Sequence, residues 1–345
     1  MLPIVLNPYE LHARSPCASA VLLIAQPAIT LLPSPLEGLD AQHIAQAMLD
    51  SPAFERLMDK WSWAGHLWRS GSLSAGVAGV TPIAWVQQAA ADIAADPGAP
   101  GRAGQPARTL AKLVGATRFE QTPRYLDAVC KDLERGGGDP AVSVPINVGL
   151  ERYAANLAAP VAASPTDSVV SRLERRRERP LLRLTTTIVH GASGLLLAEL
   201  RDALDDELAD FRHAVAESLH ARSPAASDSV IAAADRLERA VNAIPDGVLG
   251  PRDDDELRVR GGVRRLPVSF TIGIDNHGGA LSAAQQAAAI VAGPRRPPAA
   301  RSTKAGTRRA ASTPADPNAP KPASTALAHR PVLRLTVKPL PFTAA

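Results

Sequence analysis

The sequence predicts a predominantly helical α+β fold: a helical body, a small antiparallel sheet, and a disordered Pro/Ala/Arg-rich segment near the C-terminus. Three observations carry this expectation. Five Ser-Pro or Thr-Pro pairs stand at the head of helix-like stretches, apolar residues recur at helical spacing over much of residues 1–292, and strand-like alternation is confined to a few short stretches. Aromatic residues make up only 3% of the 345 residues, so the core must be built from Leu, Val, Ile and Ala.

The helix starts are legible because proline lacks the N–H that a first turn leaves unpaired, while the preceding Ser or Thr caps the turn. Ser51-Pro52, Thr81-Pro82, Thr122-Pro123, Ser164-Pro165 and Ser223-Pro224 are such starts. Helices are expected near 39–50, 52–63, 82–95, 106–115, 123–134, 146–159, 165–178, 195–221, 224–243 and 281–292. Within 224–243, Val230, Ala234, Leu237 and Val241 share one face, with Arg236, Glu238 and Arg239 elsewhere, which is the pattern of a core-packing helix.

Strands are expected at residues 3–6, 20–25, 257–263, 268–274 and 332–337. The Gly261-Gly262 pair suggests a hairpin over 257–274. Arg179-Pro180-Leu181-Leu182-Arg183-Leu184-Thr185 is echoed at Arg330-Pro331-Val332-Leu333-Arg334-Leu335-Thr336. The second copy alternates as a half-buried strand does, so it is able to dock back on the sheet; the first reads as strand or as an apolar helix start.

A Gly/Pro/Ala-rich stretch, Asp96 to Gln105, marks a weak boundary between a unit 1–95, which carries a tryptophan cluster, and a helical body 106–292. A sharper boundary falls at Gly293. Residues 293–331 hold eight prolines and no aromatics, too little apolar surface to offset conformational entropy, so disorder is expected. They carry Arg295, Arg296, Arg301, Lys304, Arg308, Arg309, Lys321 and Arg330 against Asp316 alone, a net +7 in a chain of net +4. Residues 332–345 form a final strand-like segment.

The two cysteines, Cys17 and Cys130, are too few for a zinc site or a disulfide framework. No run of apolar residues reaches the ~18 needed to span a membrane. A reducing, cytoplasmic setting without membrane attachment is the expectation, and the Ala- and Arg-rich composition suggests a GC-rich bacterial source.

Four constellations invite chemistry. Thr185 to Ser193 runs as a possible strand into Gly191-Ala192-Ser193-Gly194 and then an apolar helix, a context that aims backbone N–H groups at an anion. The turn is similar to the glycine turn of short-chain dehydrogenases, which would imply nucleotide binding. However, Leu197 replaces the third glycine, and no tyrosine has a lysine four residues on: Tyr9, Tyr125 and Tyr153 are followed there by Ala13, Val129 and Leu157. As a hydrolase elbow the same turn would present Ser193 as nucleophile, with His277 as base and Asp275 beside it. Leu195 occupies a position where that elbow requires glycine.

Asp210, His213, Glu217 and His220 have metal-ligand spacing but share one helix face opposite its apolar stripe, so a solvated face is expected, with no metal and no cofactor. Trp61, Trp63 and Trp68, with His66, form either a packing centre or a partner anchor. Residues 293–331, including Arg295, Arg296, Arg308 and Arg309, suit nucleic acid or an acidic protein through charge alone, since no aromatics are interleaved for base stacking. The reading of function is a non-catalytic interaction or scaffold protein engaging an acidic partner. A small-molecule hydrolase using Ser193 and His277 is the rival, and nucleotide binding at Gly191–Gly194 the next.

Overall fold

In a computed structural model of the chain, residues 1–31, 52–77, 80–95, 122–137, 139–162, 179–221, 223–249, 262–275 and 332–341 are described. Their strands form one seven-stranded sheet. These are β1 (Ile4–Leu6), β2 (Ala28–Thr30), β3 (Leu73–Ser74), β4 (Pro160–Ala162), β5 (Arg179–His190), β6 (Arg264–Asp275) and β7 (Val332–Pro339), in the order β3-β2-β1-β4-β7-β6-β5. The fold is mixed α+β and mostly helical, but the sheet is not the small antiparallel one expected. Strands β3, β2, β1, β4 and β7 are parallel; only β6 runs against its neighbours β7 and β5.

The helices are α1 (Pro8–His12), α2 (Pro16–Ile24), α3 (Pro52–Trp61), α4 (Gly65–Arg69), α5 (Pro82–Ala95), α6 (Thr122–Glu134), α7 (Pro140–Leu157), α8 (Gly194–Ala203), α9 (Asp205–Ala221), α10 (Pro224–Ala243) and α11 (Asp246–Leu249). The proline starts at 52, 82 and 224 each open a helix, and α6 opens at Thr122, one residue before its proline. The same device opens two further helices: Asn7 caps α1 before Pro8, and Ser15 caps α2 before Pro16. The helices expected near 39–50, 106–115, 165–178 and 281–292, and the stretch Asp96 to Gln105, lie outside the described residues.

Two expectations are corrected. Residues 20–24 are not a strand but the end of α2, capped by Ala25, and every residue from Cys17 to Ile24 is buried. A helix buried on all sides loses the polar face that would announce its period, so its apolar run reads as a strand. The first arm of the hairpin expected over 257–274 lies largely outside the described residues, and 264–275 is a single long strand whose partners are β5 and β7. The helix expected over 195–221 breaks at Leu204 (φ −112°, ψ 20°), after which the acidic first turn Asp205, Asp206 and Glu207 starts α9. Residues 179–185 of the sequence echo lie in β5 and residues 332–336 in β7, with β6 between them.

Helix α2 packs on one sheet face against β1, β7 and β5, with α8 beside it. Its C-terminal carbonyls have no helical partners and would be costly to bury unpaired. Arg201 of α8 donates to Leu22 O (2.7 Å) and Leu23 O (3.2 Å), and Arg212 of α9 donates to Ile24 O (2.7 Å). The cations also complement the negative end of the helix dipole. Burial, with the neighbouring Arg212, lowers the Arg201 pKa to about 10.

The opposite face is covered over β4 and β7 by α7, which is fastened by a largely buried ion pair, Arg334 to Glu151 at 2.9 Å. Strand β7 lies in the sheet interior, as the final strand-like segment was expected to allow. Among the described residues no helix is long and apolar enough to cross a membrane.

Candidate functional site

Six of the seven strands point the same way, since β5 is antiparallel to β6 and β6 to β7. Their C-terminal ends therefore share one edge. In sheets of this kind ligands bind at that edge where the strand order reverses. Here β1 is followed by β2 and β3 on one side while β4 lies on its other side, so the reversal falls between β1 and β4.

Buried polar side chains gather at this edge. Asn7 directly follows β1; its backbone N–H donates to Ala162 O at 3.2 Å, at the end of β4. Its Oδ1 accepts from Tyr9 N (3.0 Å), and its Nδ2 donates to Asn147 Oδ1 of α7 (2.5 Å). The Tyr9 hydroxyl donates to Asp132 of α6, and Asp132 Oδ1 also accepts from Asp139 N at 2.7 Å. Burial raises the Asp132 carboxyl above its ordinary range, against the pull of these two donors. The turn between α6 and α7 closes over Tyr9: Gly137, at φ +80°, leaves only 3.4 Å between the place of a Cβ and the ring. Nearby, Ser15 Oγ donates to Glu10 at 2.5 Å while accepting from Ala18 N.

A second pairing joins α2 to the end of β5: Ser19 Oγ and His190 Nδ1 hydrogen bond at 3.0 Å. Ser19 is buried and His190 half-buried; burial, then the Arg264 cation, lower the histidine's pKa and favour its neutral form. The same physics, burial and then Lys60, lowers the His12 pKa, and its Nδ1 accepts from Trp61 Nε1 at 3.3 Å.

The residues that the sequence singled out are placed as follows. Ser193 caps α8, its Oγ accepting from Leu196 N at 3.3 Å. Gly191 sits at φ +84° with Gly262 O 2.6 Å from where a Cβ would be, and Gly194 has Trp63 O at 2.3 Å. Both glycines thus admit the chain's own backbone. Asp275 ends β6 in register with Val332, whereas His190, just before Ser193, is in register with Arg264 at the other end of that strand. Ser193 and Asp275 are therefore at opposite edges of the sheet, about 36 Å apart along the strand. His277, Arg295, Arg296, Arg308 and Arg309 lie outside the described residues.

Trp61 and Trp63 are buried and Trp68 is half-buried against the core. The Arg14 guanidinium lies 5.0 Å from the centre of the Trp63 ring. Asp210, His213, Glu217 and His220 are exposed, and among the described residues no group of three or more potential ligands could hold a metal. A small cleft at the opposite sheet edge, lined by Leu2, Ile24, Phe211, Leu335 and other apolar side chains, offers no polar group to orient a ligand.

Comparison with protein-family models, with curated proteins and with solved structures finds no match to this chain.

Proposed function

We propose that the protein is a non-catalytic interaction protein that engages an acidic partner through residues 293–331. One observation supports this reading most: Asp275 and Val332 are register partners on adjacent strands, so both ends of the stretch 276–331 are fixed side by side at one sheet edge. That stretch carries the chain's basic excess, a net +7, while residues 1–292 are net −5. The fold thus joins a mildly acidic body to a basic insertion anchored at two points. Lys and Arg in such a segment bind nucleic acid or acidic protein by releasing counterions, without sequence preference.

The test is a titration of labelled duplex DNA and single-stranded RNA with the full chain and with a variant lacking 293–331. An internal deletion is required, because ending the chain at 292 would remove β7 from the sheet interior. Binding that needs 293–331 and weakens steeply with salt is the expected result. Failure to bind either polymer at low salt removes nucleic acid as the partner.

A second reading, a small-molecule hydrolase, is favoured by the Ser19–His190 hydrogen bond at the edge where polar groups converge. A neutral His190 would accept the Ser19 proton as that oxygen attacks the acyl carbon of an ester and pass it to the departing alcohol as the ester C–O bond breaks, leaving an acyl-serine for water to hydrolyse. A serine-reactive fluorophosphonate probe decides it. Labelling lost in Ser19→Ala and kept in Ser193→Ala supports this pair, and absence of labelling ends the reading.

A further inference from the structure

We propose that the part of the β5–β7 face left exposed between α7 and α10, turned away from α2, docks the phosphate backbone of a nucleic acid. This deepens the reading above and rests on it. Antiparallel strands commonly bury one face and leave the other in water, so a polar outer face alone carries no meaning. Here its composition is selective. Register sets Arg183, Thr271 and Thr336 in one row across the three strands, and Thr185, Ser269 and Lys338 in the next. Arg183, Thr185 and Lys338 are exposed, while Ser269, Thr271 and Thr336 are half-buried.

The two rows thus offer two cations and four hydroxyls, and no carboxylate. Among the described residues neither cation has an ionic partner. The carboxylates at the flanks are engaged: Glu151 by Arg334, and Glu238 by the Thr187 hydroxyl at 2.8 Å. Arg, Lys, Ser and Thr are the side chains that hold phosphate oxygens. The rows are about 6.7 Å apart and the two cations about 12 Å apart on a rigid surface, which suits consecutive contacts along a backbone. No aromatic residue stands in either row, so bases are not stacked and recognition is independent of sequence. Both strands that carry the insertion, β6 and β7, belong to this face.

The experiment measures anisotropy of labelled duplex DNA and single-stranded RNA across a salt series. It uses the full chain, Arg183→Ala/Lys338→Ala, the deletion of 293–331, and the combination. Removing two phosphate contacts should lower the steepness of log K against log salt by about 1.8 on duplex DNA, in the full chain and in the deletion alike. An unchanged slope overturns the proposal while leaving the insertion's role intact. If the deletion still binds and the double substitution abolishes that binding, the face stands and the insertion falls. No binding by the full chain overturns both. Equal loss of binding to polyglutamate would assign the face to acidic protein instead. A lowered thermal midpoint with unchanged binding would assign it to the chain's own residues 163–178, and either of these last outcomes overturns the proposal.

Discussion

Replacing Gly194 by alanine separates two accounts of the Gly191–Gly194 turn, one in which the glycines leave room for a ligand and one in which they admit the chain itself. A Cβ at Gly194 would stand 2.3 Å from Trp63 O and 3.1 Å from Ala64 Cα, both backbone atoms. Ordinary contact needs roughly 1 Å more, and the obstruction is no flexible side-chain tip. The segment that must move carries a Trp63 ring that is 8% exposed. Overpacking of this kind costs about 1–3 kcal/mol. Against it stands the helical preference for alanine over glycine, about 0.8–1 kcal/mol at most. The net expectation is a loss of up to about 2 kcal/mol. Gly65 supplies the control: its backbone is helical (φ −57°, ψ −33°), with nothing within 4 Å of a Cβ. Gly65→Ala should therefore gain about 0.4–1 kcal/mol by restricting the unfolded chain. Urea unfolding followed by far-UV circular dichroism reads both. A Gly194→Ala protein as stable as the parent, or a Gly65→Ala protein destabilised equally, would refute the packing account.

Further outcomes follow from the same geometry. Ser193→Ala should cost about 0.5–2 kcal/mol through the lost cap, and Ser193→Asp should restore most of it, because aspartate caps a helix as well as serine; urea midpoints of the two variants check this. Glu151→Ala should cost up to about 3–5 kcal/mol by removing a carboxylate partner of the buried Arg334 cation, and Glu151→Ala/Arg334→Met should recover much of that loss in the same assay. His190 and His12 have pKa values below the ordinary 6.5. The unfolded chain thus takes up those protons first, and stability should fall as pH drops through 6.5 toward the folded values, then level off. His190→Gln should flatten part of that slope in urea midpoints taken from about pH 5 to about pH 8. Asp132 has the opposite sign: its raised pKa gives a contribution present below 3.8 and lost as pH rises through the folded value. Asp132→Asn should remove that acid-side contribution.

What was legible in the sequence follows from how local each signal is. A hydroxyl or amide before proline acts within one turn, so α3, α5, α6 and α10 could be read directly, and Asn7-Pro8 and Ser15-Pro16 carried the same signal. The parallel strands could not be read in that way: β1, β2 and β4 are three residues each and buried on both faces, which erases alternation. Pairing of β5 with β6 joins segments far apart in the chain, and nothing in either names its partner. The polar edge was hidden for the same reason. Asn7, Asp132 and Asn147 meet only because β1 lies beside β4, and Ser19 meets His190 only because α2 crosses to β5. Ser193 was visible as a serine between glycines, yet the cap it forms uses the same residues as the elbow it resembles.

The place of β7 bears on how the chain is made. Its neighbours β4 and β6 are synthesised well before it, and β7 hydrogen-bonds to both. Until residue 339 has left the ribosome, the sheet exists as two separate halves, each with an unpaired inner border. Exposed borders of this kind recruit strands from other chains. A nascent chain stalled within 276–331, or a protease cut there followed by loss of the tail, would leave one chain carrying two adhesive sheet borders. Production of this protein should therefore be sensitive to how quickly translation passes through that stretch.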